Sequence, residues 1–321
     1  MSEVLVTGAA GFLGSRLVER LLARGARVTG VDCFTDYYDP EIKRDNLSAV
    51  AKHPSFRLLE WDLADKDLGG LPEVDVVYHL AAQAGVRASW GRDFSVYLKQ
   101  NLLATQRLLE RYLAKPPQRF VYASSSSVYG DAERLPTSED DRPRPFSPYG
   151  VTKLAAEHLC LLYQRNHGLP AVALRFFTVY GPRQRPDMGF HRFFEAVREG
   201  RPLEIYGDGT QSRDFTFVED ILDAVEVAGE RGQTGGVYNV GSDHPVTVLQ
   251  VLDKIRAVTG EKVDVVFRPK VAGDAPHTAS DITRARRDLG YEPRVMLDEG
   301  LAAQWQWQNT RRSRAAREAK A

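Results

Sequence analysis

Through the first half of the chain, short β-branched runs alternate with longer stretches whose apolar residues recur at helical spacing. The pattern predicts strands over 4–7, 27–31, 56–60, 74–80, 119–123 and 171–176. Between them it predicts helices over 13–24, 94–114 and 149–167, the last with Ser147 as candidate cap and Pro148 in its first turn. Such alternation builds a parallel sheet wrapped by helices on both faces. Beyond Tyr180 the texture changes. Gly and Pro become dense in "YGPRQRPDMG" and "EGRPLEIYGDGTQ", and the elements shorten, as in a smaller second lobe. Helices over 218–228 and 248–258 are candidates to return to the first lobe, so a boundary near residue 177 is soft.

Composition narrows the class. The 321 residues are 43% hydrophobic, ample for a packed core. Basic and acidic residues number 43 each, so no global field draws the chain to nucleic acid or an anionic membrane. Cys33 and Cys160 lie far apart, without the spacing of a disulfide framework or a zinc site, which suits a reducing cytosol. The apolar stretch 4–13 has no basic leader and is too short for a signal peptide or a membrane span, so a soluble, cytoplasmic protein is expected. No period of about 20 to 50 residues recurs. The basic tail 311–321 reads as a solvated helix end rather than a nucleic-acid patch. Seven histidines are scattered without ligand spacing, and no metal is expected. His79 reads as a packed structural residue.

"VTGAAGFLG" places Gly8, Gly11 and Gly14 between the first strand and the first helix. Glycines there let backbone amides approach a pyrophosphate, and the helix N-terminus adds partial positive charge. Asp32 ends the second strand, where a carboxylate accepts both ribose hydroxyls of an adenosine and repels a 2′-phosphate. NAD is therefore the expected cofactor. Phe12, Leu13 and Ala82 join this set, with Asp62 and Leu63 as candidates for the adenine edge. The aromatic, charged segment "DCFTDYYDPEIKRDN" reads either as a surface loop or as part of the adenosine end.

Two further patterns concern protons. "SPYGVTK" sets Tyr149 and Lys153 four residues apart, on one helical face. A nearby ammonium and a positive nicotinamide ring favour phenolate, so Tyr149 is a candidate base, and both residues also belong to the cofactor set. "SSSSVYG", Ser124 to Gly130, follows a buried strand, so its hydroxyls belong either to a solvated loop or to a site.

The chain resembles the extended short-chain dehydrogenase/reductase family, specifically its nucleotide-sugar epimerases, over essentially its whole length. The matching stretches are "TGAAGFLG", "HLAAQAGVR", "SSSSVYG", "YGVTK", "RFFTVYGPRQRPDM" and "YGDGTQSRDFTFVED". The resemblance implies a Rossmann-type doubly wound parallel sheet with a smaller C-terminal α/β lobe, divided as 1–177 for NAD and 178–321 for a UDP-sugar. It implies Ser125, Tyr149 and Lys153 as the catalytic group. It implies Arg87, Ser126, Ser127, Thr178, Arg185, Arg192, Arg213 and Asp274 on the substrate, with Thr178 and Arg185 on a carboxylate. Related dehydratases carry Asp-Glu after the catalytic hydroxyl, and related decarboxylases Glu before "VYG"; this chain has Ser126 and Ser127. The nearest branch is UDP-glucuronic acid 4-epimerase. A neutral UDP-glucose/UDP-galactose epimerase is the first alternative; a decarboxylase and a non-catalytic NAD-sensing protein lie further off. A homodimer through the helices over 94–114 and 149–167 is expected from the same resemblance, unless their apolar positions face the core.

Overall fold

The computed structural model describes residues 1–269 and 275–318. Its strands are β1 (Glu3–Thr7), β2 (Arg27–Val31), β3 (Phe56–Leu59), β4 (Val76–His79), β5 (Arg119–Ser125), β6 (Ala171–Phe176), β7 (Thr178–Tyr180), β8 (Leu203–Tyr206), β9 (Ser212–Phe217), β10 (Val237–Val240), β11 (Pro245–Thr247) and β12 (Val265–Arg268). Its α-helices are α1 (Phe12–Ala23), α2 (Pro40–Leu47), α3 (Phe94–Tyr97), α4 (Ala104–Arg111), α5 (Pro148–His167), α6 (Gly189–Arg198), α7 (Val218–Arg231), α8 (Val248–Thr259), α9 (Thr283–Leu289) and α10 (Leu297–Glu318). Seven strands form one sheet in the order β10-β6-β5-β4-β1-β2-β3, every pair parallel. This is the Rossmann-type doubly wound sheet the sequence predicts.

Side chains on a strand point alternately to the two faces, and both faces here are apolar. Val4, Val6, Val121, Val172 and Leu174 pack in one cluster with Leu17 and Val18 of α1 and Ile221 and Val225 of α7. Their neighbours Leu5, Phe120, Tyr122, Ala171 and Ala173 pack in the other, with Leu108 of α4 and Cys160 of α5. A strand buried on both sides reads as a continuous apolar run, which is why β1, β5 and β6 were legible in the sequence.

The structure differs from the sequence expectation in three places that bear on the site. β5 continues through Ser124 and Ser125, whose ladder partners are Arg175 and Phe176, so two of the serines belong to the strand itself. The expected single helix over 94–114 is interrupted by a wider π-turn, Leu98–Leu103, which holds Asn101 at 1% exposure. Of the two helices able to return to the first lobe, α7 packs on β4, β5 and β6, while α8 packs on α10 and β11.

Chain beyond Phe177 therefore serves both lobes. β10 completes the large sheet, whereas β7, β9 and β11 form a three-stranded sheet and β8 pairs with β12. Among the described residues no helix is long and apolar enough to cross a membrane, and no group of His, Cys, Asp or Glu is arranged to hold a metal ion.

Candidate active site

The strand order reverses at β1, whose neighbours are β2 on one side and β4 on the other. Crevices for ligands form at such switch points, outside the carboxyl ends of the strands. A cavity of about 610 Å³ opens here, lined by the first glycine loop, the end of β2, the serine turn after β5 and the start of α5.

Gly14 explains the spacing of its loop. A Cβ on it would stand 2.0 Å from the Gly8 carbonyl oxygen, so only hydrogen lets α1 start against the end of β1. Gly8 has φ +68°, and a Cβ there would press on the backbone of Ala81 after β4. No side chain caps the first turn of α1, because its N-cap is Gly11; the amides of that turn are left to an anion. Asp32 is 7% exposed, and its carboxylate accepts from the amides of Ala10 (3.1 Å) and Phe34 (2.9 Å) and from Lys43 Nζ (3.2 Å). Phe12, Leu13 and Ala82 also line the cavity.

The residues expected to handle the proton, Ser125, Tyr149 and Lys153, meet at the other end of the same cavity. Ser125 Oγ accepts from the Ser127 amide (3.1 Å), which caps the short 3-10 turn Ser126–Val128, and the Ser125 hydroxyl is near enough to Tyr149 to favour its phenolate. Gly150 makes this meeting possible. A Cβ there would lie 2.5 Å from the Ser127 carbonyl oxygen, so a larger residue would hold α5 off the serine turn. Lys153 Nζ sits over the Tyr122 ring, 4.5 Å from its centroid. Burial pulls its ammonium down to about 8, against Cys160 and Glu157, which favour the charge.

Tyr149 departs from the expectation of a lowered pKa. Burial raises its phenol above the ordinary value, and the Ser125 hydrogen bond and the Arg185 charge only partly oppose this. In the protein alone, desolvation outweighs the Arg185 charge; the expected lowering also counted on the positive charge of a nicotinamide ring.

The first serine of the row has a different task. Ser124 donates to Glu157 (2.6 Å), which is paired with Arg175; Arg175 donates to Tyr129, and Tyr129 to Asn239 of β10. This buried chain ties β5, α5, β6 and β10 together directly behind the site. Asn101, carried inward by the π-turn, bonds the Gln83 amide and carbonyl (2.7 and 3.0 Å) and Thr152 (3.0 Å), bracing the loop after β4 against α5. His79 lies between Thr7 (2.7 Å) and Thr105 (2.9 Å), with its pKa lowered by burial to about 3, so it is a neutral internal strut.

A second cavity of about 740 Å³ continues toward the smaller lobe, and Arg87, Thr178 and Arg192 line both. Arg87 stacks 4.4 Å over the Tyr206 ring of β8, across the mouth between the lobes. Arg213 lines only the second cavity, and its guanidinium donates to the Ser212 and Pro276 carbonyls (2.8 and 3.1 Å). Ser126, Ser127 and Arg185 line the first. Asp274 lies outside the described residues.

Asp62 and Leu63, expected as candidates for the adenine edge, stand beside this cavity's lining rather than in it. Neither lines the cleft: Asp62 accepts from the Ala64 amide (2.9 Å) and Gln100 (2.9 Å) and pairs with Lys99 (3.1 Å), and Leu63 is 4% exposed in the core. A strand-end aspartate with a helix nearby has local partners, and here they engage its carboxylate. Thr35, Tyr37, Tyr38 and Lys43, none of them named as site residues from the sequence, line the cavity from the segment read either as a surface loop or as part of the adenosine end. A signal was present in "DPE": Asp39 caps α2 and Pro40 opens it, and that helix turns Lys43 back toward Asp32.

The crevice has what a dinucleotide requires: a glycine cradle that a Cβ would fill, uncapped helix amides for a pyrophosphate, and a fixed carboxylate for a ribose. Its residues fit NAD. Comparison with known proteins agrees. Residues 4–241 match the model of the NAD dependent epimerase/dehydratase family. An uncharacterized UDP-glucose epimerase of Bacillus subtilis, YtcB, is 44% identical over 93% of this chain and 95% of its own. A UDP-glucuronate 4-epimerase of Thermodesulfobacterium geofontis is 36% identical over 96% of each. The solved UDP-glucuronic acid 4-epimerase of Bacillus cereus, in complex with UDP-glucuronic acid and NAD, superposes with a TM-score of 0.93 at 41% identity, over 96% of this chain and 99% of that one. With the family model matched over residues 4–241 and relatives 36–44% identical over nearly the whole chain, this chain belongs to the NAD dependent epimerase/dehydratase family.

Proposed function

We propose that the protein interconverts UDP-glucuronic acid and UDP-galacturonic acid by inverting C4, with NAD held in the crevice at Gly8, Gly11, Gly14 and Asp32. The observation that carries the choice of sugar is Arg185. Its guanidinium lines the cavity of Tyr149, close enough that its charge opposes the rise in the Tyr149 pKa. A carboxylate at C5 of the sugar would meet that cation, and a hydroxymethyl group would not need it. The relatives named as UDP-glucuronate 4-epimerases support the same reading.

In this mechanism Tyr149 takes the proton of the C4 hydroxyl, and Ser125 holds that oxygen and steadies the phenol. Lys153 contributes positive charge beneath the cofactor site. NAD held by Gly8, Gly11, Gly14 and Asp32 would supply a reversible hydride acceptor for C4, so no external reductant would be consumed. Ser126 and Ser127 line the sugar pocket and offer no carboxyl group for elimination, which argues against a dehydratase. The 4-keto sugar is a β-keto acid. If its carboxylate turns perpendicular to the ketone, the C5–C6 bond breaks: carbon dioxide leaves, the electron pair passes through C5 to the C4 oxygen, and C5 is then protonated. Thr178 and Arg185, with Ser126 and Ser127, hold the carboxylate away from that orientation.

The test is to incubate the purified protein with UDP-glucuronic acid and, separately, UDP-glucose, adding no NAD, and to resolve products by anion exchange and proton NMR. UDP-galacturonic acid from the first alone is expected. UDP-galactose from the second alone would transfer the assignment to a neutral-sugar epimerase, the reading favoured by the description of the Bacillus subtilis relative.

A homodimer also belongs to this proposal. Val96, Leu98 and Leu103 on the α3–α4 segment and Val151 and Leu162 on α5 are each at least 40% exposed, an apolar set suited to a second copy. Light scattering on the eluting protein is expected to give twice the chain mass; a monomer would refute it. Cys33 and Cys160 are both unpaired, as a reducing cytosol would leave them.

A further inference from the structure

Arg185 does not stand alone in the cleft. Its Nε donates to Asp187 Oδ1 and its Nη2 to Asp187 Oδ2, both at 2.9 Å, a two-point pair between planar groups. Asp187 also accepts from Tyr37 (3.4 Å), which belongs to the segment after β2 that lines the cofactor end of the cavity. Although burial favours its protonated form, the hydrogen bonds and charge of Arg185 hold the Asp187 carboxyl below its ordinary range.

The geometry matters because a guanidinium has five N–H donors in a fixed plane. Asp187 takes one from Nε and one from Nη2. The remaining three lie on Nη1 and Nη2, and they form a second two-point edge in the same plane. A substrate carboxylate can bind on that edge without displacing Asp187. Without Asp187 the long side chain could rotate, and its two edges would present themselves in several orientations. We propose that Asp187 is a positioning residue that locks the Arg185 plane, with Tyr37 steadying it from the cofactor loop, and so fixes the orientation of the substrate carboxylate at the 4-keto stage.

This inference rests on the carboxylate role of Arg185, and the experiment separates the two. Holoenzyme variants Asp187→Ala, Asp187→Asn and Arg185→Ala are compared with wild type in their affinity for UDP and for UDP-glucuronic acid by calorimetry. The fraction of turnovers ending in decarboxylated pentose is followed by NMR. For Asp187→Ala, UDP affinity is expected to be unchanged, UDP-glucuronic acid affinity to fall by about tenfold, and the pentose fraction to rise several-fold. Asp187→Asn keeps one acceptor and the side-chain size, so it is expected to fall between wild type and alanine, and it serves if the alanine variant folds poorly. If Arg185→Ala weakens UDP-glucuronic acid selectively while both Asp187 variants match wild type in affinity and product fraction, the positioning role is overturned and the carboxylate reading stands. If Arg185→Ala weakens UDP and UDP-glucuronic acid alike, or neither, the carboxylate reading falls and this inference with it.

Discussion

Lys153, proposed above to serve the reaction, is held in the fold at the expense of stability. Its ammonium is buried, and its pKa falls to about 8 from an ordinary 10.5. Between those values the unfolded chain binds the proton that the folded chain has released, so stability rises with pH across that window. Below pH 8 the full penalty applies, on the order of 3 kcal/mol from the size of the shift. Lys153→Met removes the cation and keeps the bulk. It is expected to melt several degrees higher than wild type at pH 7, with the difference closing toward pH 10.5, and to lose activity by at least about a hundredfold. Melting curves across that pH range check the first part; a variant less stable than wild type at pH 7 would show that Glu157 more than repays the burial. YxxxK spacing announced this residue in the sequence. Ser124 was not legible in the same way, because nothing in "SSSS" tells the serine that bonds Glu157 from the one that meets Tyr149; the alternation of β5 decides it.

At the scale of elements, the site depends on how closely helices approach strand ends. Gly14→Ala would place a methyl 2.0 Å from the Gly8 carbonyl, so α1 must tilt away from β1. The expected result is a folded but destabilised protein, by roughly 2 kcal/mol or more, that no longer copurifies with NAD. Absorbance and mass spectrometry of the denatured supernatant measure the retained cofactor; full retention would mean that the loop yields without losing its amides. The glycine spacing and the cap at Ser147 could be read directly, and Ser147 does accept from the Gly150 amide (3.1 Å). The π-turn could not. Its residues look like any helix, and what selects the wider turn is the demand of Asn101 for the Gln83 backbone, a partner in another element.

For the whole molecule, the question is whether the lobes are separable. β10 pairs with β6 inside the large sheet, and α7 covers β4, β5 and β6, yet both come from chain beyond residue 177. Arg16 and Arg20 of α1 and Arg24 at its C-terminal cap form ion pairs with Glu219, Asp223, Glu226 and Glu230 of α7, and Arg183 reaches back to Ser15 (3.1 Å) and Glu19 (2.6 Å). A fragment of residues 1–177 would expose the edge of β6 and one apolar face of the sheet. It is expected to be insoluble, or to show no cooperative melting; a soluble fragment that melts cooperatively would contradict this account.

The sequence by itself determined the sheet class, the glycine loop and the Tyr149–Lys153 pair, because each rests on local spacing: apolar runs buried on both faces, glycines where backbones touch, and a helical i, i+4 pair. Tertiary structure alone decided which polar groups are engaged. Asp62 turned to Lys99 and Gln100, Lys43 came back to Asp32, and Arg185 acquired Asp187 and, through it, Tyr37. Those outcomes depend on which distant groups share a desolvated space, and there an unpaired charge is costly enough that partners are set by packing rather than by distance along the chain.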